Sequence, residues 1–256
     1  MAENAPARAP RVYVPDLAEY AGRSEENLTI SLKVEERDHV RSRRLRDGDE
    51  VVALDGKGLR LRATLTRSGS ALALLPSKQI SSSSFSSSSL PGEPANRVTV
   101  LLACAEPARV EWAIEKGTEC GAAGFVLLDA DRSQRAHVAA LSSPARLERL
   151  RRIAVEATKQ CDRTLVPVVE GPKSTEDFLR GGRGKGTLFV ADPAGAPMGS
   201  FSPGAATVAI GPEGGFAPSE LSQFKENHSF SLSLGPRILR LETAVVVALM
   251  RLVDPG

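Results

Sequence analysis

A chain of 256 residues is long enough for one large domain or two unequal ones, and 41% hydrophobic with 25% charged residues excludes the disordered, collagen-like and membrane classes. Lys and Arg number 33 against 31 Asp and Glu, so a surface basic throughout is excluded and any polyanion site must be local. Three widely spaced cysteines, Cys104, Cys120 and Cys161, exclude a disulfide framework or a Cys-x-x-Cys motif, and the scattered His39, His137 and His228 leave little for a metal site or a Ser-His-Asp hydrolase.

From the N-terminus, MAENAPARAP lacks the apolar region of a secretory signal and is too short and Ser-poor for a clear transit peptide. Leu28–Leu32 and Glu50–Leu54 then read as strands. Asp55-Gly56-Lys57-Gly58 reads as a hairpin turn, after which Leu59, Leu61, Ala63 and Leu65 alternate with Arg60, Arg62, Thr64 and Thr66, the period of a strand with one wet face. Ala71–Leu75 adds another strand, and so many short strands predict a small barrel. Residues 81–89 hold eight serines in nine positions and predict a linker or loop insertion.

Beyond the serines, strands and helices alternate. Val98–Cys104 is an apolar run fit for a strand buried on both faces. Pro107 opens a helix with Val110, Ala113, Ile114, Gly117 and Cys120 on one stripe, and Gly121 stops it. Phe125–Leu128 is a further buried strand, and Pro144 opens a helix with Leu147, Leu150, Ala154, Ala157 and Cys161 inward. Leu188–Ala191, Val208–Ile210 and Leu232–Leu234 read as three more strands, and a last helix runs from about Glu242 to Val253. This order predicts an α/β domain with a largely parallel sheet and helices on both faces.

Gly181-Gly182-Arg183-Gly184-Lys185-Gly186-Thr187 suggests a phosphate loop but fails in detail: no Ser or Thr follows the lysine directly, and a strand follows where a helix is needed. Ile210-Gly211-Pro212-Glu213-Gly214-Gly215-Phe216 is more informative. Its glycines and proline set a sharp loop at a strand's carboxyl end, where open α/β sheets bind ligands. Leu234-Gly235-Pro236-Arg237-Ile238-Leu239-Arg240-Leu241-Glu242-Thr243-Ala244 repeats the pattern, with two arginines before an apolar helix.

These two segments resemble the RsmE family of 16S rRNA uracil-N3 methyltransferases, in the SPOUT superfamily of trefoil-knotted, S-adenosylmethionine-dependent enzymes. Further similarities follow in family order: Pro10-Arg11-Val12-Tyr13, His39 through Gly48-Asp49, the helix with Glu111, Trp112, Lys116 and Glu119, Asp131-Arg132-Ser133, and Glu156-Ala157 with Gln160, Arg163 and Pro167. The chain departs from the family pattern at Ser42-Arg43, at Lys159 and in its serine tract.

The resemblance implies a PUA-like, RNA-binding β-barrel over residues 1–78, a Ser-rich linker over 79–96 and a knotted SPOUT methyltransferase domain over 97–256. It implies S-adenosylmethionine as cofactor, held by Ala191, Asp192, Pro193, Ile210, Gly211, Pro212, Glu213, Gly214, Gly215, Leu234, Gly235, Ile238 and Leu239. Arg240 or Arg237 would stand near the base, with Arg11 supplied by the barrel and Glu242 as proton acceptor or arginine orienter. RNA contacts are expected from Arg41, Arg43 and Arg44, in a stretch of five arginines within residues 37–46, and from Lys116, Arg132, Gln160 and Arg163. The implied partners are small-subunit rRNA or the assembled small ribosomal subunit and a second copy of the chain, with no metal and no membrane. The alternative function is a non-catalytic RNA-binding dimer with a degenerate knot domain. The cytoplasm is the expected compartment, and a chloroplast or mitochondrion the alternative.

Overall fold

The computed structural model describes residues 9–20, 29–68, 71–76, 90, 92–181, 186–197 and 204–253. The serine tract at 81–89 and the glycine-rich residues 182–185 lie outside the described residues. The chain divides into two compact units, one of Met1–Glu93 with Thr158–Leu165, the other of Pro94–Ala157 with Val166–Gly256.

In the first unit, β1 (Arg11–Tyr13), β2 (Ile30–Ser31), β3 (Glu50–Leu54), β4 (Arg60–Ser68) and β5 (Ala71–Pro76) form one sheet in the order β1-β3-β4-β5-β2. β1 runs parallel to β3, and the other neighbours are antiparallel. The alternation along β4 buries Leu61, Ala63 and Leu65 against Val12, Ile30, Val51 and Leu74, while Arg60 and Arg62 stay in water. Asp55 shapes the β3–β4 turn: its Oδ1 accepts from the Lys57 and Leu59 N–H groups at 2.7 and 2.9 Å. Gly56 and Gly58 supply the positive φ, 72° and 113°, that this turn needs.

The arginine-rich stretch, read from sequence only as a charge run, folds largely as a helix, α1 (Val34–Ser42), ending where Arg44 takes φ 56°. Only Glu36 and Val40 of α1 are buried, so no apolar stripe announces it. Glu36 lies inside because Lys159 Nζ donates to it at 2.8 Å, with both side chains almost fully buried. A second buried pair joins Arg163 to Glu93, whose other oxygen accepts the Thr164 and Leu165 N–H groups at 2.8 Å each. Gly92 beside it has no room for a side chain, since a Cβ would stand 2.4 Å from the Asp162 carbonyl oxygen. These buried ties group residues 158–165 with the first unit, whereas the sequence reading places them in the second domain.

The second unit is built on β6 (Arg97–Ala103), β7 (Gly124–Asp129), β8 (Val168–Ser174), β9 (Thr187–Ala196), β10 (Ala205–Ile210) and β11 (Phe230–Leu232), ordered β11-β9-β10-β6-β7-β8. Every neighbouring pair is parallel. The chain fills one side of β6 with β7 and β8, then crosses to lay β10 on its other side, so the strand order reverses between β6 and β10. Ligands of open parallel sheets bind at the carboxyl ends beside such a switch.

The helices are α2 (Pro107–Glu119), α3 (Arg135–Leu141), α4 (Pro144–Gln160), α5 (Thr175–Arg180), α6 (Pro218–Glu226) and α7 (Leu241–Leu252). α2 lies so close to β7 that a Cβ on Gly117 would stand 2.8 Å from the Phe125 ring, with Leu249 of α7 at 3.3 Å. Val98, Val100, Leu102, Phe125, Leu127 and Val208 fill the core beneath, all fully buried. β11 ends at Leu232, two residues before the Leu234 expected from sequence. Among the described residues no helix is long and apolar enough to cross a membrane, and no cluster of three or more His, Cys, Asp or Glu could hold a metal ion.

Candidate active site

Three segments at the carboxyl side of β9, β10 and β11 surround one cavity of about 390 Å³. The first is a bulge inside β9. Its pairing with β11 jumps from Ser231 opposite Val190 to Leu232 opposite Ala196, so residues 191–195 leave the ladder. Asp192 closes this bulge, one carboxylate oxygen accepting from the Ala194 N–H at 2.9 Å and the other from the Ser231 hydroxyl at 3.0 Å. Gly195 is required there, because a Cβ would meet the Leu232 backbone at 2.8 Å.

The second segment follows β10. Gly215, at φ 69°, donates its N–H to the Pro212 carbonyl at 2.8 Å and closes a tight turn over Glu213 and Gly214. Phe216 then turns inward, its ring edge-on to Phe224 of α6 with centroids 5.1 Å apart. Glu220 fixes the start of α6: one oxygen accepts from the Ala217 N–H at 2.8 Å, the other from the Asp131 N–H at 3.2 Å and the Thr175 hydroxyl at 2.8 Å. The third segment runs from Leu234 into α7, with Gly235 at φ 123°.

All thirteen residues that the sequence assigns to the cofactor line this one cavity. Phe216, Leu221, Leu241 and Ala244 complete the wall and are absent from that assignment. Phe216 closes the first glycine motif, and Leu241 and Ala244 end the second, so these three could have been read from them; Leu221 sits at an ordinary helical position and carries no signal. The wall is mostly apolar side chain and backbone, with Asp192, Glu213 and Arg237 as its charged members, and the cavity is in the size range of small-molecule sites. Among the described residues no atom lies within 4 Å of where a Cβ would stand on Gly215 or Gly235, which leaves room for a ligand against the main chain. These features, with the Asp192 and Glu213 carboxylates on the wall, suit a cofactor that joins a flat base to a cationic sulfonium, as S-adenosylmethionine does.

Of the residues assigned to catalysis, Arg237, Arg240 and Glu242 stand together at the approach to α7, and Arg11 belongs to the first unit. Arg237 lines the cavity and is exposed; Arg240 is the exposed N-cap residue of α7 and is not part of the lining. Glu242 stands in the first turn of α7, between the lining residues Leu241 and Ala244, and its Oε2 is buried without a hydrogen-bond partner among the described residues. Arg11 is committed within the first unit, where its guanidinium pairs with Asp162 and donates to the Lys159 carbonyl at 2.7 Å. Cys104, buried just after β6, is a poor nucleophile, since burial pushes its thiol up to about 12.

Of the residues assigned to RNA, Arg41, Arg43, Arg44 and Gln160 are exposed. Arg41 makes a surface pair with Asp38 at 3.2 Å. Lys116 is held by Glu115 and Glu119 at 2.8 Å each, and these carboxylates raise its pKa above the ordinary lysine value. Arg163 requires correction: it is 3% exposed, and its guanidinium is spent on the buried Glu93, so it cannot face a phosphate. Arg132 donates to the Gly214 carbonyl at 2.7 Å, on the turn after β10.

The sequence profile of the RNA methyltransferase domain family matches residues 92–253. The chain is 31% identical over 220 residues to the ribosomal RNA small subunit methyltransferase E of Mycobacterium bovis, covering 81% of this chain and 79% of that one. It is 29% identical over 242 residues to the protein of the same name from Bacillus subtilis, covering 88% and 90%. The crystal structure of a ribosomal RNA small subunit methyltransferase E from Neisseria gonorrhoeae, bound to S-adenosyl methionine, superposes with a TM-score of 0.78 over 94% of this chain and 95% of that one, at 24% identity. The α/β methyltransferase fold, the glycine turns around one cavity and these matches agree: the chain belongs to the ribosomal RNA small subunit methyltransferase E family of RNA methyltransferases.

Proposed function

We propose that the protein transfers a methyl group from S-adenosylmethionine to N3 of a uridine in small-subunit rRNA. The observation that carries this reading is the convergence of the 191–195 bulge, the Pro212–Gly215 turn and the Gly235 turn on one cavity beside the strand-order reversal. Family membership supplies the reaction class. When bound, the cofactor supplies an electrophilic methyl on a sulfonium.

The residues of the chain do the rest. Uracil N3 carries a proton at neutral pH and becomes nucleophilic only as that proton leaves. The Glu242 carboxylate is suited to receive it: one oxygen is buried and makes no hydrogen bond among the described residues, on the turn of α7 whose flanking residues line the cavity. Arg237, on the cavity wall, is placed to stabilise the negative charge that develops on the base oxygens, and Arg240 to draw in the phosphate beside it. The apolar wall of Phe216, Leu221, Leu241 and Ala244 excludes water and fixes the reactants in line.

The finer architecture belongs to the same proposal: a PUA-like barrel in the first unit that binds rRNA through the exposed arginines of α1, a trefoil knot formed by the loops around the cavity, and a homodimer. Calorimetry with S-adenosylmethionine tests the core of it. Saturable binding with one site per chain is expected, and absence of binding at high micromolar cofactor would contradict it.

A further inference from the structure

The segment joining β7 to α3 is tied down more heavily than a surface loop requires. Arg135 grips Asp129 with two N–H groups at 2.6 and 3.1 Å and donates to the Ala130 and Ser133 carbonyls at 3.1 and 3.3 Å. The Ser133 N–H closes a turn on the Ala130 carbonyl at 2.8 Å. Asp131 is tied to the start of α6, its N–H to Glu220 at 3.2 Å and its carboxylate accepting from the Ser219 hydroxyl at 3.1 Å. From this fixed base Arg132 reaches the Gly214 carbonyl at 2.7 Å, and its aliphatic stem lies 3.6 Å from where a Gly214 Cβ would stand.

The Gly214–Gly215 peptide is therefore committed at both ends, its carbonyl to Arg132 and its N–H to Pro212. The N–H is thereby taken and the carbonyl oriented by Arg132, so the main value of this peptide lies in the shape it gives the cavity wall. A neighbouring tie acts on the same turn: Arg109 of α2 pairs with the Glu213 side chain. That tie holds an exposed carboxylate, whereas Arg132 holds main chain, which makes Arg132 the stronger constraint on loop shape.

We infer that Arg132 is a positioning residue for cofactor binding, a brace that holds the Pro212–Gly215 turn in its ligand-ready form, and not an RNA contact. The inference rests on the methyltransferase reading of the same cavity.

The test uses the full chain, with S-adenosylmethionine affinity read by calorimetry, rRNA affinity by filter binding, and steady-state kinetics. Arg132→Ala should weaken cofactor affinity about tenfold, the scale of one charge-assisted hydrogen bond, and raise the cofactor KM by a similar factor with kcat unchanged. Affinity for rRNA and the melting temperature should stay at wild-type values. Arg132→Lys should recover part of the loss, because an ammonium can still donate to the carbonyl. The inference is overturned if Arg132→Ala leaves cofactor affinity within twofold while weakening rRNA binding, or if all affinities fall together with the melting temperature. Failure of the wild type to bind cofactor would instead overturn the underlying methyltransferase reading.

Discussion

At the scale of single residues, the glycines around the cavity are not equivalent. Gly235 sits at φ 123°, a backbone conformation L side chains rarely adopt, whereas a Cβ on Gly214 would make only ordinary contact with the Arg132 stem, at 3.6 Å or more. Gly235→Ala should therefore force its loop out of shape and weaken S-adenosylmethionine binding about tenfold or more, while Gly214→Ala should cost less than about threefold. Calorimetry on the two variants checks this, and equal losses would contradict it. Both glycines stand out in the sequence, but their difference does not, because it depends on φ and on an arginine 82 residues away.

The same limit applies to Arg163. In the sequence it is a cation in an RNA-enzyme-like element; in the structure it is the partner of Glu93, 70 residues earlier. Breaking a buried pair from one side leaves an uncompensated charge, so Arg163→Ala should destabilise the protein by about 3 kcal/mol in urea unfolding. Unchanged stability with lost rRNA affinity would restore the RNA-contact reading.

At the scale of elements, legibility followed the source of each element's stability. β4 and β6 bury their own apolar pattern and are plain in the sequence. α1 is not, since its inward face is Val40 and a glutamate whose partner Lys159 lies 123 residues on. β8 is equally opaque: it is an edge strand with Val168 61% exposed and Gly171-Pro172 inside it. Its place is set by β7, not by its own composition.

Helices α2 and α4 are joined by a tie the sequence does not show. Glu111 receives Arg149 through two hydrogen bonds, at 2.7 and 2.8 Å, and Arg146 at 2.7 Å. The Arg149 hydrogen bonds, helped by Arg146 and opposed by partial burial, hold the Glu111 carboxyl below the ordinary carboxylate range. A depressed pKa contributes stability that is full above the ordinary value, about 4.3, and is lost as pH falls toward the folded-state value. Glu111→Gln should flatten this acid limb and cost less than about 1 kcal/mol at pH 7, because the arginines are partly exposed. An acid limb identical to wild type would show that the tie adds nothing.

At the scale of the whole molecule, a formal net charge of +2 conceals where positive charge is available. Arg163 and Arg11 are consumed by internal pairs, Lys116 by two carboxylates and Arg132 by a loop carbonyl. Arg43 and Arg44 remain exposed at the end of α1, and Arg41 is held only by an exposed surface pair with Asp38. Replacing these three with glutamine should weaken rRNA binding and reduce the slope of log affinity against log salt by about 2, with cofactor affinity unchanged. An unaltered salt slope would place the RNA elsewhere.

The methyl transfer itself can be measured directly. Small ribosomal subunits lacking the modification, incubated with the protein and methyl-labelled S-adenosylmethionine, can be digested to nucleosides and resolved by mass spectrometry. Label in 3-methyluridine is expected, and Gly235→Val should abolish it. Label confined to another nucleoside, or none from a protein that binds the cofactor, would contradict it.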